Sequence, residues 1–77
     1  MSKGIKLYVI AFKELIDEVT RENKNNPQRA KELIINEVLE EAKKAFKPQD
    51  YQEIKMHAVK RLIELGIPVK ELEELLG

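Results

Sequence analysis

The 77-residue chain carries 14 basic and 14 acidic side chains, so its formal net charge is zero and it lacks the basic surplus typical of nucleic-acid-binding domains. This length accommodates one domain, residues 1–77, and the absence of cysteine excludes disulfides and thiolate metal sites. The longest apolar run, residues 8–12, is far shorter than the ~20 residues that span a bilayer, and no cleavage site follows it, so we expect a soluble chain without a targeting signal and assign no compartment.

The first predicted helix covers residues 3–23, with Ser2 as its N-cap. Leu7 and Ile10 lie on the back of its first half, whereas the back of its second half is polar. Since a helix that is apolar all round is normally buried, we expect other helices to cover Leu7 and Ile10. The core-facing stripe consists of Ile5, Tyr8, Val9, Phe12, Leu15, Ile16 and Val19.

The same segment raises two further questions, its secondary structure and its ion pairs. Residues 5–12 are strong strand formers, but the chain offers no partner strand, and the helical stripe continues to Val19, which favours a helix. On the outer face, Asp17 is four residues from both Lys13 and Arg21, and we expect both intrahelical ion pairs.

The second predicted helix covers residues 27–46, because Asn26 is a good N-cap and Pro27 suits the first helical position. Leu33 falls within its polar arc and therefore needs a contact outside a simple two-helix interface. The inward face consists of Ile34, Ile35, Val38, Ala42, Ala45 and Phe46, with Ala30 and Leu39 on its flanks.

The third predicted helix covers residues 49–65 and has two alternative starts. Either Pro48 opens it, or Asp50 caps it with Glu53 at capping-box spacing. Its main stripe and its second apolar shoulder consist of Tyr51, Ile54, Ala58, Leu62 and Leu65, and of Met56, Val59 and Ile63. Its solvent-facing residues are predicted to be Glu53, His57, Lys60 and Glu64.

Gly66 is predicted to take a left-handed conformation that ends the third helix, with Ile67 making the accompanying apolar contact. A fourth, short helix then covers residues 68–76. The predicted fold is therefore all-α, a compact domain of three long helices and one short one. A last helix of about 13 Å cannot reach Leu7 from an up-down arrangement, so we expect steep helix crossings.

Candidate sites for chemistry are few. With a single histidine and no cysteine, no nucleophile and base pair can be argued, so we predict no catalytic residue and no enzyme activity. His57 and Glu53 are one helical turn apart and are the best candidates for a metal site. A metal needs three or four ligands, so a solvated polar face is the preferred interpretation, without metal or cofactor.

The joint at Gly66 is compatible with a helix-turn-helix, but the helix after it carries Lys70 among three glutamates and would repel phosphate. We therefore expect no nucleic-acid partner. The four aromatic residues lie on apolar stripes, where core packing is a better explanation than a ligand cage. They are Tyr8, Phe12, Phe46 and Tyr51.

Local signals for caps, first-turn prolines, helix ends and Glu/Lys surfaces agree along the whole chain. The segments 26–33 (NPQRAKEL) and 62–77 (LIELGIPVKELEELLG) resemble those of computationally designed, de novo all-α proteins. This resemblance is one of style and matches no specific natural family. It implies a monomeric helical scaffold whose function is its fold, without evolved activity, substrate, cofactor or partner.

Two features depart from that style, the polar loop Asn23 to Asn26 and the apolar start of the first helix. They favour an alternative, a small natural interaction module or regulator that binds an amphipathic partner helix. Its docking surface would be the patch of Leu7, Ile10 and Ala11 or the neighbourhood of Leu33. A homodimer through the Leu7 and Ile10 face is a further alternative to the monomer.

Overall fold

Four helical rods follow one another in the predicted order in a computed structural model, which describes the backbone of residues 2–76 and the side chains of residues 6–76. No strand occurs in this part of the chain, and the prediction of a compact all-α fold is confirmed. The rods are α1 (Ser2–Glu22); α2 (Pro27–Leu33), a π-helix (Ile34–Val38) and α3 (Leu39–Ala45), which together form the second rod; α4 (Pro48–Leu65); and a 3-10 helix (Val69–Leu72) that runs into α5 (Glu73–Leu76).

Local chemistry places the starts of the second and third rods. Asn26 Oδ1 accepts the backbone N–H of Arg29 at 3.3 Å, and Pro27 is the first helical residue, as predicted. In the third rod Pro48 opens α4 one residue before the predicted start, so the first of the two alternatives is correct. The predicted cap at Ser2 lies outside the described side chains.

The end of α4 is a Schellman motif, as predicted. Gly66 has a φ of 109°, and its N–H donates to the carbonyl of Ile63 at 3.0 Å, while the N–H of Ile67 donates to the carbonyl of Leu62 at 3.0 Å. The Ile67 side chain is buried. The segment that follows begins as a 3-10 helix rather than the predicted α-helix, and this tighter turn directs Leu72 into the core.

One cluster of buried apolar side chains joins all four rods. Ile16, Ile34, Ile54 and Leu72, one from each rod, are all completely buried. The radius of gyration of 12.0 Å is close to the about 11.5 Å expected for a compact chain of this length. The other members of the cluster are Val9, Ala30, Val38, Leu39, Ala42, Ala58, Val59, Leu62 and Ile67.

The π-helix in the middle of the second rod changes which residues face the core. A π-helical turn holds one more residue than an α-helical turn, so it rotates everything after it by about 100°. Leu39, predicted on a flank, is therefore buried, and Ala45, predicted to face inward, is exposed. Ile34, Val38 and Ala42 are buried as predicted, so the predicted inward face is wrong only at Ala45.

The back of α1 is not covered. Leu7 is 67% exposed and Ile10 is 44% exposed, so the prediction that other helices bury them was wrong. The C-terminal segment instead lies against the start of the second rod, where Glu71 accepts hydrogen bonds from Gln28 and Lys31. The exposure of Leu7 and Ile10 removes the reason for expecting steep helix crossings.

Candidate docking surface

Of the four residues of α4 that were predicted to face solvent, Lys60 and Glu64 are exposed, whereas Glu53 and His57 pack against α1. His57 Nε2–H donates to Asp17 Oδ1 at 2.8 Å, and Arg61 Nε donates to the same oxygen at 2.8 Å. The His57 side chain is only 19% exposed. The prediction of a solvent-facing His57 was wrong, because α1 presents a matching polar stripe that the helical pattern of α4 alone does not indicate.

Glu53, the other candidate metal ligand, is also taken up by α1. Its carboxylate accepts a hydrogen bond from Lys13 Nζ and lies 3.6 Å from Lys6 Nζ. Lys13 and Asp17 therefore pair with α4 and not with each other, which corrects the predicted intrahelical pairs. Among the described side chains, no three His, Cys, Asp or Glu residues are grouped so that they could hold a metal ion.

The charges of this polar seam between α1 and α4 affect two carboxyl groups. Burial alone would raise the pKa of Asp17, but the hydrogen bonds and positive charge of His57 and Arg61 outweigh it, so the pKa lies below its usual value. The hydrogen bond from Lys13 and the nearby ammonium groups likewise lower the pKa of Glu53. The seam is thus a structural ion-pair network, and the described residues place no nucleophile against His57.

An apolar groove runs between α1 and the second rod. It consists of two adjoining depressions of about 570 Å³ and 390 Å³ that meet at Phe12, and we call it the Phe12 groove. The rings of Phe12 and Phe46 pack edge to face, with centroids 5.2 Å apart. The first depression is lined by Tyr8, Phe12, Ala45, Phe46, Lys47 and Asp50, and the second by Phe12, Leu15, Val19, Leu33, Glu37, Val38 and Glu41.

Two predicted core residues of α1 are in fact on the rim of this groove. Tyr8 is 66% exposed and Leu15 is 44% exposed. Leu33, which needed a contact outside a two-helix interface, lines the groove and is half-buried there. The sequence contained one indication of the groove. The helix α1 has more apolar residues than the other helices of so short a chain can cover.

Carboxylates border the second depression. Glu37 and Glu41, one turn apart on the second rod, line it directly. On the opposite side, Glu22 lies two helical turns after Leu15 along the exposed edge of α1, whereas Glu18 lines a separate depression with Glu14, Asp17 and Arg21. No ion pair among the described side chains involves Glu22, Glu37 or Glu41, while Glu18 pairs with Arg21 on its own helix.

A second, smaller apolar patch lies on the outer side of α4. Met56, Ile63 and Leu76 are exposed there around a shallow depression of about 470 Å³. It has no aromatic lining and shares no lining residue with the Phe12 groove. The segment after Gly66, which was compared with a recognition helix, has one 3-10 turn followed by one α turn.

None of the helices in the described part of the chain is long and apolar enough to cross a membrane. In α1, which has the most exposed apolar side chains, Lys6 and Lys13 flank the apolar run. The chain matches no protein-family model, no curated protein and no solved structure.

Proposed function

We propose that this chain is a protein-interaction module that binds one amphipathic helix of a partner in the Phe12 groove. The observation that carries the proposal is the groove itself, an apolar depression between α1 and the second rod with the rings of Phe12 and Phe46 packed in it. Binding of this kind places the apolar face of an incoming helix between two helices of the receptor. The proposal replaces the inert scaffold as the preferred function.

The exposed side chains around the groove support this proposal. Large apolar side chains that are contiguous and rimmed by charged residues are typical of interaction sites. Tyr8 and Leu15 stand on the rim, whereas Leu7 and Ile10, which are also exposed, line neither depression. Tyrosine is also enriched at protein interfaces, because its ring buries a large area and its hydroxyl tolerates water.

The π-helix gives independent support. Such segments are rare in α-helical rods and occur frequently at functional sites. Here the π-helix contributes Glu37 and Val38 to the wall of the groove, and the rotation it causes brings Ala45 to the surface at the other end. An idealised scaffold backbone would have no reason to contain one.

The scaffold remains the second candidate, and the completeness of the polar contacts favours it. No described side chain has a buried polar atom without a hydrogen-bond partner, and the caps at Asn26 and Gly66 are fully formed. Both candidates require a stable fold. They differ only in whether the Phe12 groove binds anything.

A peptide titration distinguishes the two. A fluorescent peptide of about 18 residues, which forms an amphipathic helix of about 27 Å, is titrated with the chain, and anisotropy gives the Kd. Leu15→Asn removes an apolar rim residue and should weaken binding roughly tenfold. Ile63→Asn is the matched control, because Ile63 is 42% exposed outside the groove and Leu15 is 44% exposed on its rim.

The interaction module predicts that only Leu15→Asn changes the Kd. Saturable binding that both variants weaken equally would place the site elsewhere. If no amphipathic peptide binds the parent chain at concentrations up to about 1 mM, the scaffold is the better proposal. Circular dichroism of both variants checks that their helix content matches that of the parent.

A further inference from the structure

We infer that the partner helix is basic at one end, so that lysine or arginine residues flank its apolar stripe where it lies over Leu15 and Leu33. This inference rests on the function proposed above and names the chemistry of the partner. It follows from the distribution of charge around the Phe12 groove.

The acidic wall of the second depression is the first part of the argument. Glu37 and Glu41 are both exposed, are one turn apart, and line the depression with Leu33. Neither takes part in an ion pair of the described side chains, so both carboxylates are available to a ligand. An apolar helix in this position would bring its own flanking residues next to them.

The opposite edge repeats the same charge. Glu22 lies seven residues, about two helical turns, after Leu15 on the same side of α1 and is exposed. No ion pair of the described side chains involves Glu22, whereas Glu18 pairs with Arg21 and lines a separate depression with Glu14 and Asp17. A helix over Leu15 would therefore have Glu22 on one side and Glu37 and Glu41 on the other.

The far end of the groove has a different charge pattern. The first depression, beside Tyr8 and Phe46, contains Lys47 and Asp50, which offset each other. Negative charge is thus concentrated at the end marked by Leu15 and Leu33, although the whole chain is neutral. Charge complementarity of this kind selects partners and fixes their orientation more than it adds to affinity.

A second copy of the chain is the competing occupant. For a second copy, the entering helix would be α1, whose exposed apolar side chains adjoin the exposed Lys6. Lys13, however, is held by Glu53, and Lys6 lies near the same carboxylate. Among the described side chains of α1, the cations Lys6, Lys13 and Arg21 all lie within ion-pair distance of a carboxylate, so a separate basic helix fits the acidic edges better.

The test uses three helical peptides that have the same apolar stripe. In one half of each peptide, the positions that flank the stripe are all lysine, all glutamine or all glutamate. We expect the lysine peptide to bind the full chain most tightly and the glutamate peptide least, with roughly threefold to tenfold between successive peptides. The differences should shrink at high salt, because exposed charges are screened.

A charge-matched pair of variants locates the effect. The double variant with Glu37→Gln and Glu41→Gln should bind the lysine, glutamine and glutamate peptides with nearly equal affinity. Glu73→Gln combined with Glu74→Gln changes the net charge by the same amount at exposed residues outside the groove, and should preserve the lysine preference. Equal effects of both pairs would mean that only net charge matters and would overturn the inference.

The outcomes separate the inference from the function it rests on. If the glutamine peptide binds as well as the lysine peptide, the groove binds helices without charge selection, and only the inference fails. If none of the three peptides binds, the proposed function fails as well. If sedimentation shows that the chain alone is a dimer that Leu15→Asn dissociates, a second copy occupies the groove and the basic partner is wrong.

Discussion

At the scale of single residues, Asp17 connects α1 to two side chains of α4. It accepts hydrogen bonds at one carboxylate oxygen from His57 and from Arg61, both 40 or more positions away along the chain. Arg61 also donates to Glu64 at 2.8 Å, so its guanidinium is held on both sides. These contacts join the first and third rods through charge as well as through apolar packing.

The lowered pKa of Asp17 predicts a dependence of stability on pH. Because the carboxyl group releases its proton more readily in the folded chain than in the unfolded chain, it stabilises the fold above its usual pKa of 3.8. This contribution is lost as the pH falls through the lowered folded value. We expect Asp17→Asn to reduce the melting temperature near neutral pH and to have little effect in strong acid.

Thermal unfolding followed by circular dichroism checks this across a pH series. Glu22→Gln is the control, since Glu22 is exposed and no ion pair of the described side chains involves it. Its melting temperature should follow that of the parent throughout. A constant difference between Asp17→Asn and the parent down to strong acid would mean that the ionised carboxylate is not what stabilises the seam.

At the scale of elements, the π-helix makes the second rod behave as an α-helix with one inserted residue. Asn36 lies within it and is exposed, whereas Lys43 is exposed within the regular α3. Removing one residue from a regular helix turns everything after it by about 100°, but removing one from a π-helix restores the α-helical path.

We therefore predict that deletion of Asn36 is tolerated and that deletion of Lys43 is not. The first leaves Leu39 and Ala42 facing the core, while the second turns Phe46 away from Phe12. Denaturant unfolding should show that the Lys43 deletion reduces the free energy of unfolding by at least about 2 kcal/mol more than the Asn36 deletion does. Equal losses would mean that the π-helix does not set the register of α3.

The same rod shows how far sequence alone predicts this fold. Asn26, Pro48 and Gly66 act on their immediate neighbours, so the rod ends could be placed within one or two residues from local chemistry. A π-helix has no such local cause. Its effect is to bury Leu39 and expose Ala45, and whether that arrangement packs well depends on the facing helices.

The candidate site was predictable only in part, for a similar reason. The sequence indicated that Leu33 needed an extra contact and that Leu7 and Ile10 formed a surplus apolar face. It could not indicate that Tyr8 and Leu15 stand on a rim, because the helical period places them with core residues. Nor could it place His57 against Asp17, since each helix was assigned its polar face separately.

At the scale of the whole molecule, the exposure of the back of α1 determines how much a charged side chain at that surface changes the free energy of unfolding. Ile10 is 44% exposed, so Ile10→Lys should leave the free energy of unfolding within about 0.5 kcal/mol of the parent. Ile16→Lys is the contrast, because Ile16 is completely buried, and an unpaired charge in the core should unfold the chain.

Denaturant unfolding combined with light scattering checks both variants. A parent that scatters as a dimer and an Ile10→Lys variant that scatters as a folded monomer would assign this face to a second copy. A large loss of stability in a monomeric Ile10→Lys variant would mean that Ile10 is covered, contrary to the arrangement of the four rods.

The polar seam also determines how α1 and α4 can slide along each other. Lys13 meets Glu53 and Asp17 meets His57 at the same separation of 40 residues, so the two helices run in the same direction. A slip of one turn, about 5.4 Å, would bring Asp17 opposite Glu53 in one direction and Lys13 opposite His57 in the other. Each slip loses two of these hydrogen bonds, and the first also opposes like charges. Apolar side chains of similar size would tolerate such a shift, so the seam gives this small domain a single alignment of its first and third rods.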